Sequence, residues 1–169
     1  MALSRGDVVR ILNIDKNLAG RDLTGLDLAG LNFRQANLTQ VILRRANLRA
    51  ADLSMADLTG ATLTGADLGG AELWGAFLNR VDLRGANLAQ ANLQMADLRR
   101  AQCLGADLTG ANLRSADLSG VDLSYVVLVG VDLSGADLRG TIITPEQLKQ
   151  ARSLRNALMP SGSRFSGRL

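Results

Sequence analysis

The chain has 169 residues, a formal net charge of +3, no His and one Cys, Cys103. That composition removes the commonest general base and metal ligand and any intramolecular disulfide, and the length suits a single domain with its own core. No stretch approaches the ~18 apolar residues of a membrane span, and Met1–Asp7 has no basic segment leading into an apolar run, so a cytoplasmic protein without a membrane partner is expected.

Residues 1–15 read as an N-terminal capping segment with a short helix over 5–13. Ser4 is placed as its N-cap with Asp7 three residues on, and Leu3 and Val8 are spaced as a hydrophobic staple.

From residue 16 to residue 143 the chain repeats every five residues. Each fifth residue from Leu18 to Ile143 is Leu except Phe33, Cys103 and Ile143, which makes 23 Leu in 26 positions. Ala, Val or Leu usually sits two residues before, Asp or Asn between, and Gly frequently two after, as in Ala66-Asp67-Leu68-Gly69-Gly70. An α-helix would step successive Leu by ~140° and spray them round every side. A flat strand would send alternate Leu to opposite faces. Within one unit, however, Ala-Asp-Leu alternates in, out, in, and the next two residues have turn chemistry. A short extended piece, a bend and a repeat keep Leu and Ala on one side, which makes the body a stacked coil. Leu alone cannot hold it: one buried Leu contributes ~1.5–3 kcal/mol, whereas each ordered residue costs ~1–2 kcal/mol. Ala and Val burial and coil-to-coil hydrogen bonds must supply the rest. Lys16 and Arg21 occupy inward positions, so the first coil is expected to close only near Leu23.

Charge is divided along the chain. Between Lys16 and Ile143, 12 Lys/Arg face 13 Asp/Glu, and the flanks carry 7 against 3. The body acids all occupy the outward slot, where Asp and Asn interchange freely. A catalytic carboxylate would not tolerate that exchange, so no catalytic, metal-binding or cofactor-binding residue is assigned and no cofactor is expected. Cys103 replaces Leu at an inward position with no His to activate it, which makes it a buried spacer.

Two sets of residues break the outward rule. Trp74 and Phe77 should face solvent near one corner, with Arg80, Arg84, Arg99 and Arg100 close by, the composition of a protein-binding hot spot. Leu104, Tyr125, Val127 and Val129 form a second apolar set, read either as packing under the C-terminal cap or as a homodimer face.

At the C-terminus, residues 144–158 carry the signals of a capping helix. Thr144-Pro145-Glu146-Gln147 supplies an N-cap, Pro at the first helical position and Gln for a capping box. Leu148, Ala151, Leu154 and Leu158 would make its apolar stripe. Pro160 ends it, and 159–169 reads as a mobile tail.

The Ala-Asp/Asn-Leu-x-Gly units resemble the pentapeptide-repeat family, with terminal helices similar to those of cyanobacterial members. The resemblance implies an all-β solenoid, a right-handed quadrilateral β-helix with four pentapeptides per coil. On that geometry the body has about six coils and a length of ~30 Å. The corner of Trp74, Phe77 and the arginines, with no catalytic set beside it, points to a non-enzymatic scaffold or protein-interaction module with a protein partner. A second reading comes from family members that imitate duplex DNA and bind a type II topoisomerase such as gyrase. Mimicry needs a long acidic rod, and this body is about neutral and carries Arg44, Arg45, Arg49 and Arg80. Nucleic-acid binding is not expected, because the basic flanks form no groove interleaved with aromatic residues.

Overall fold

The computed structural model describes residues 3–167. Met1 and Ala2 of the N-terminal segment, and Arg168 and Leu169 of the tail, lie outside the described residues.

Each pentapeptide forms one side of a four-sided coil. The turn Leu68-Gly69-Gly70-Ala71 shows why: the Ala71 amide donates to the Leu68 carbonyl at 2.9 Å, and Gly70 has φ of 65°. A left-handed third residue after an ordinary second one makes a type II turn. In such a turn the middle peptide lies along the coil axis. Accordingly the Gly69 carbonyl accepts from Ala50 of the preceding coil at 3.1 Å, and the Gly70 amide donates to Ala89 of the next at 2.9 Å. The outward Asp or Asn supports the turn from outside, because its Oδ1 accepts the amide two residues on. Thr109 donates to Asp107 at 2.8 Å, and Ala89 to Asn87 at 3.0 Å. Both residues offer that oxygen, which explains their interchange.

Parallel bridges step by 20 residues along the column Asn17, Asn37, Asp57, Phe77, Asp97, Asp117 and Asp137. Those steps span six coils. This column marks the first face; the second runs through Asp22, Ile42, Thr62, Asp82 and Gln102, the third through Asp107 and Val127, and the fourth through Asp52 and Glu72. The inward Leu and Ala fill the axis almost without exposure.

Helix α1, Arg5–Ile14, carries the expected capping box of Ser4 and Asp7 and lays Val8 and Leu12 over the first coil. Arg5 donates to the edge carbonyls of Asp27 at 2.7 Å and Ala29 at 2.9 Å. These bonds occupy part of an otherwise open edge. The expected late closure of the first coil is corrected here. The ladder is already formed at Leu18, whose amide donates to Asn37 at 2.9 Å, and Lys16 turns outward to the Arg34 carbonyl.

The C-terminal helix is shorter than its signals imply. Helix α2 covers only Pro145–Gln150, with the capping box of Thr144 and Gln147 in place. Residues 151–158 rejoin the solenoid instead. Ser153 pairs with Asp132 and Leu158 with Asp137, while Leu154 and Ala157 are buried. A short helix is marginal on its own. Returning to the open end lets the same residues bury their apolar side chains and pair their backbones. The predicted tail turns back too: Arg164 pairs antiparallel with Leu158, and the Phe165 amide donates to Ala157 at 2.9 Å.

One level of the ladder is interrupted. Among the described residues, four rungs are missing between 100–105 and 119–124: Arg100 to Ser119, Cys103 to Asp122, Gly105 to Ser124, and Asp122 to Ala101. The third position of every corner from Gly20 to Gly140 has positive φ except Tyr125. The Val126 amide still donates to Leu123 at 3.0 Å, so this corner is a type I turn with its middle peptide reversed. Helix α2 removes the partner that the ordinary turn would have here. The Thr144 carbonyl, the acceptor that the coil period sets above Tyr125, is taken by Leu148 at 3.1 Å as the first bond of the helix.

Candidate functional site

The corner between the first and second faces stacks Asn79-Arg80, Arg99-Arg100 and Ser119-Gly120 on successive coils. The Arg80 amide donates to the Arg99 carbonyl at 3.0 Å and sets that register. Phe77 lies on the first face leading into this corner. It is 46% exposed and bridged to Asp57 below and Asp97 above. With no Oδ1 at position 77, the Asn79 amide lacks the outward acceptor that corners following Asp or Asn possess.

Of the six residues in the first predicted patch, Arg80, Arg99 and Arg100 line one cavity at this corner and Phe77 lies on the face leading into it. Trp74 sits at the preceding corner, between the fourth and first faces, and is partly buried rather than open to solvent. Arg84 sits at the following corner, where Leu104 and then Ser124 stack over it. Sequence reasoning missed Asn79 and Ser119, which line a cavity of about 510 Å³ with Arg80, Arg99 and Arg100. Both stand 20 residues from Arg99, so the coil period is the signal that finds them.

Charge at this corner is unevenly paired. Arg99 grips Asp97 through Nε at 2.8 Å and Nη2 at 2.7 Å, and its Nε lies 3.6 Å from Asp117. The guanidinium hydrogen bonds hold the Asp97 carboxyl below its ordinary range against the opposing effect of burial, and raise Arg99 in turn. Arg84 with Asp82 and Arg139 with Asp137 repeat the arrangement. Arg80 and Arg100 make no ion pair within 4.0 Å among the described residues.

The second predicted patch is exposed. Leu104 and Tyr125 share the corner between the second and third faces, Val127 lies on the third face and Val129 at its far corner. Their exposures are 56%, 74%, 41% and 50%. Packing under the C-terminal cap, one of the two expected explanations, is excluded by those values, because α2 leaves these side chains uncovered. Beside them the interrupted rungs border a cleft of about 350 Å³ that reaches Cys103, whose thiol burial pushes up to about 12. Among the described residues no cluster of three His, Cys, Asp or Glu is placed to hold a metal ion, and no helix is long and apolar enough to cross a membrane.

Six parallel coils with an axis of Leu define a β-solenoid, and Asp or Asn in the outward slot supports most of its turns. The chain belongs to the pentapeptide-repeat family: the model for pentapeptide repeats matches in overlapping segments from residue 17 to residue 140. The right-handed quadrilateral β-helix is the architecture of that family.

Among solved structures, HetL, a pentapeptide-repeat protein involved in heterocyst differentiation regulation in the cyanobacterium Nostoc, is 29% identical. That alignment covers 98% of this chain and 100% of HetL, with a TM-score of 0.26. Rfr23 from the cyanobacterium Cyanothece is also 29% identical, over 84% of this chain and 97% of its own, with a TM-score of 0.32. QnrB1, a plasmid-mediated fluoroquinolone resistance protein, is 21% identical over 79% of this chain and 82% of its own, with a TM-score of 0.37. No curated protein matches the sequence.

Proposed function

We propose that this chain is a non-enzymatic interaction module whose protein partner docks on the corner formed by Phe77, Arg80, Arg99 and Arg100. The observation that carries the reading is Phe77, exposed in a column that otherwise presents Asn and Asp from Asn17 to Asp137. An aromatic side chain beside arginines on a rigid frame is the composition that concentrates binding energy. Chemistry finds little support: the one thiol stays protonated near neutral pH, and most outward carboxylates are committed to turn amides. Affinity capture with the full chain tests the proposal. A specific partner should be retained by the unaltered protein and lost on Phe77→Asp, with the far-ultraviolet circular dichroism unchanged. Equal capture by both forms would remove this corner from consideration. Trp74→Ala, at the neighbouring corner, should weaken capture less.

Imitation of duplex DNA toward gyrase is the competing reading. It asks for a field of unpaired carboxylates, whereas Asp82, Asp97 and Asp137 are each neutralised by an adjacent Arg. A supercoiling assay with no inhibition or protection at micromolar protein would end it.

A further inference from the structure

We propose that Arg80 and Arg100 form a carboxylate receptor, and that the partner segment seated there is an acidic peptide with an apolar side chain beside its acid. This assignment rests on the interaction reading above and names the chemistry of its partner. The two guanidiniums project from the same corner one coil apart, with Arg99 between them in the chain and already held by Asp97 and Asp117. Neither Arg80 nor Arg100 has an acid of its own among the described residues. Two further donors line the same cavity. The Arg100 amide has lost its rung to Ser119, and the Ser119 hydroxyl makes no hydrogen bond among the described residues.

Charge decides which anion fits. Asp97 and Asp117 both contact Arg99, so the cluster of three arginines and two acids carries a net charge of +1. A carboxylate balances it, whereas a phosphate dianion would overshoot. Paired guanidiniums and backbone amides match the geometry of carboxylate oxygens. Phe77, three residues before Arg80, offers an apolar surface within ~10 Å along the chain.

The test is a titration of the full chain, labelled with ¹⁵N, by the peptide acetyl-Leu-Glu-Leu-amide, its Gln counterpart and inorganic phosphate. The Glu peptide should shift the Arg80 and Arg100 side-chain resonances and the Arg100 amide, and bind at least tenfold more tightly than the Gln peptide. The double variant Arg80→Gln/Arg100→Gln should lose that difference. Gln is tolerated at this corner, since Gln40 occupies the same column with φ of 56°. Should that variant fail to fold, Arg80→Gly/Arg100→Gly serves, because Gly20, Gly60 and Gly120 share the column. Equal binding of the two peptides, shifts confined to other residues, or tighter binding of phosphate than of the Glu peptide would each overturn the assignment. If capture depends on Phe77 while the peptide moves neither arginine, the interaction reading stands and the carboxylate receptor falls. If the peptide binds as expected while capture ignores Phe77, the interaction reading falls alone.

Discussion

Tyr125 stands over Gly105 at the corner between the second and third faces, and the Gly105 amide meets no carbonyl because the Ser124–Tyr125 peptide is reversed. Two demands meet at this corner. A bulky residue enters left-handed backbone at a cost of ~1–2 kcal/mol, and helix α2 already uses the Thr144 carbonyl that would reward it. Tyr125→Gly removes the first demand. The corner should then adopt the type II form, and the amides of Cys103, Gly105 and Asp122 should exchange with solvent at least tenfold more slowly. Each recovered rung contributes ~1 kcal/mol net, less the ~0.5–1 kcal/mol that Gly costs in chain entropy. A gain of ~1–2 kcal/mol in urea unfolding is expected, and unchanged exchange at Gly105 would show that Tyr125 does not cause the interruption.

The coil itself was legible because one unit repeats, and an error at any single position is outvoted by its neighbours. The ends were harder. Lys16 read as a charged intruder in the core, but its long stem carries the ammonium out to a backbone carbonyl. Past Gln150, the spacing of Leu148, Ala151, Leu154 and Leu158 fits a helical stripe. The spacing from Leu154 to Ala157 equally repeats the Leu-to-Ala step of every turn, and local pattern cannot choose between them. The open coil below does choose, by offering backbone partners at Asp132 and Asp137. At the candidate site, the exposed Phe77 followed from its slot. Its separation from Trp74 and Arg84 depends on which corner each residue turns, information that only the 20-residue coil supplies.

Cys103 gives the interrupted level a pH signature. Burial raises its thiol from the ordinary 9.0 to about 12, so the folded state resists the thiolate that the unfolded chain forms readily. The stabilisation is fully present below 9.0 and is lost as pH rises toward 12. Unfolding free energy should therefore fall by up to ~1.4 kcal/mol per pH unit across that window. Cys103→Ala should start less stable and flatten the decline. Parallel pH profiles for the two proteins would assign the slope to other groups.

Gln147 ties α2 to the coil beneath it. Its side chain donates to the carbonyls of Leu123 at 2.6 Å and Val126 at 3.0 Å, and accepts from the Thr144 amide at 3.0 Å. Gln147→Ala leaves the Val126 carbonyl and the Thr144 amide without partners and takes one of two donors from the Leu123 carbonyl, a loss of ~2–3 kcal/mol. Gln147→Glu keeps the bond from the Thr144 amide but cannot donate to the carbonyls, so it should not restore stability. Thermal unfolding of the three forms checks this ordering, and a neutral Gln147→Ala would mean that α2 is held by Leu148 alone.

Asp97 links the stability of the first face to the charge of the proposed receptor. Its carboxyl lies below the ordinary 3.8, chiefly through the hydrogen bond from the Arg99 side chain. A lowered folded value means that its stabilisation is present above 3.8 and disappears as pH falls through that lower value. Asp97→Asn keeps an Oδ1 for the Arg99 amide, as Asn87 does for Ala89, but removes the charge that holds the guanidinium. The variant should unfold at a lower temperature than the parent at pH 7, and the two curves should converge in acid. Arg99, left with Asp117 alone, would then turn more readily toward Arg80 and Arg100, so the acidic peptide should bind the variant more tightly, by about threefold or more. Tighter binding of the Gln peptide as well would trace the gain to loosened backbone rather than to the released charge, and weaker binding of the Glu peptide would place Asp97 inside the receptor instead of beside it.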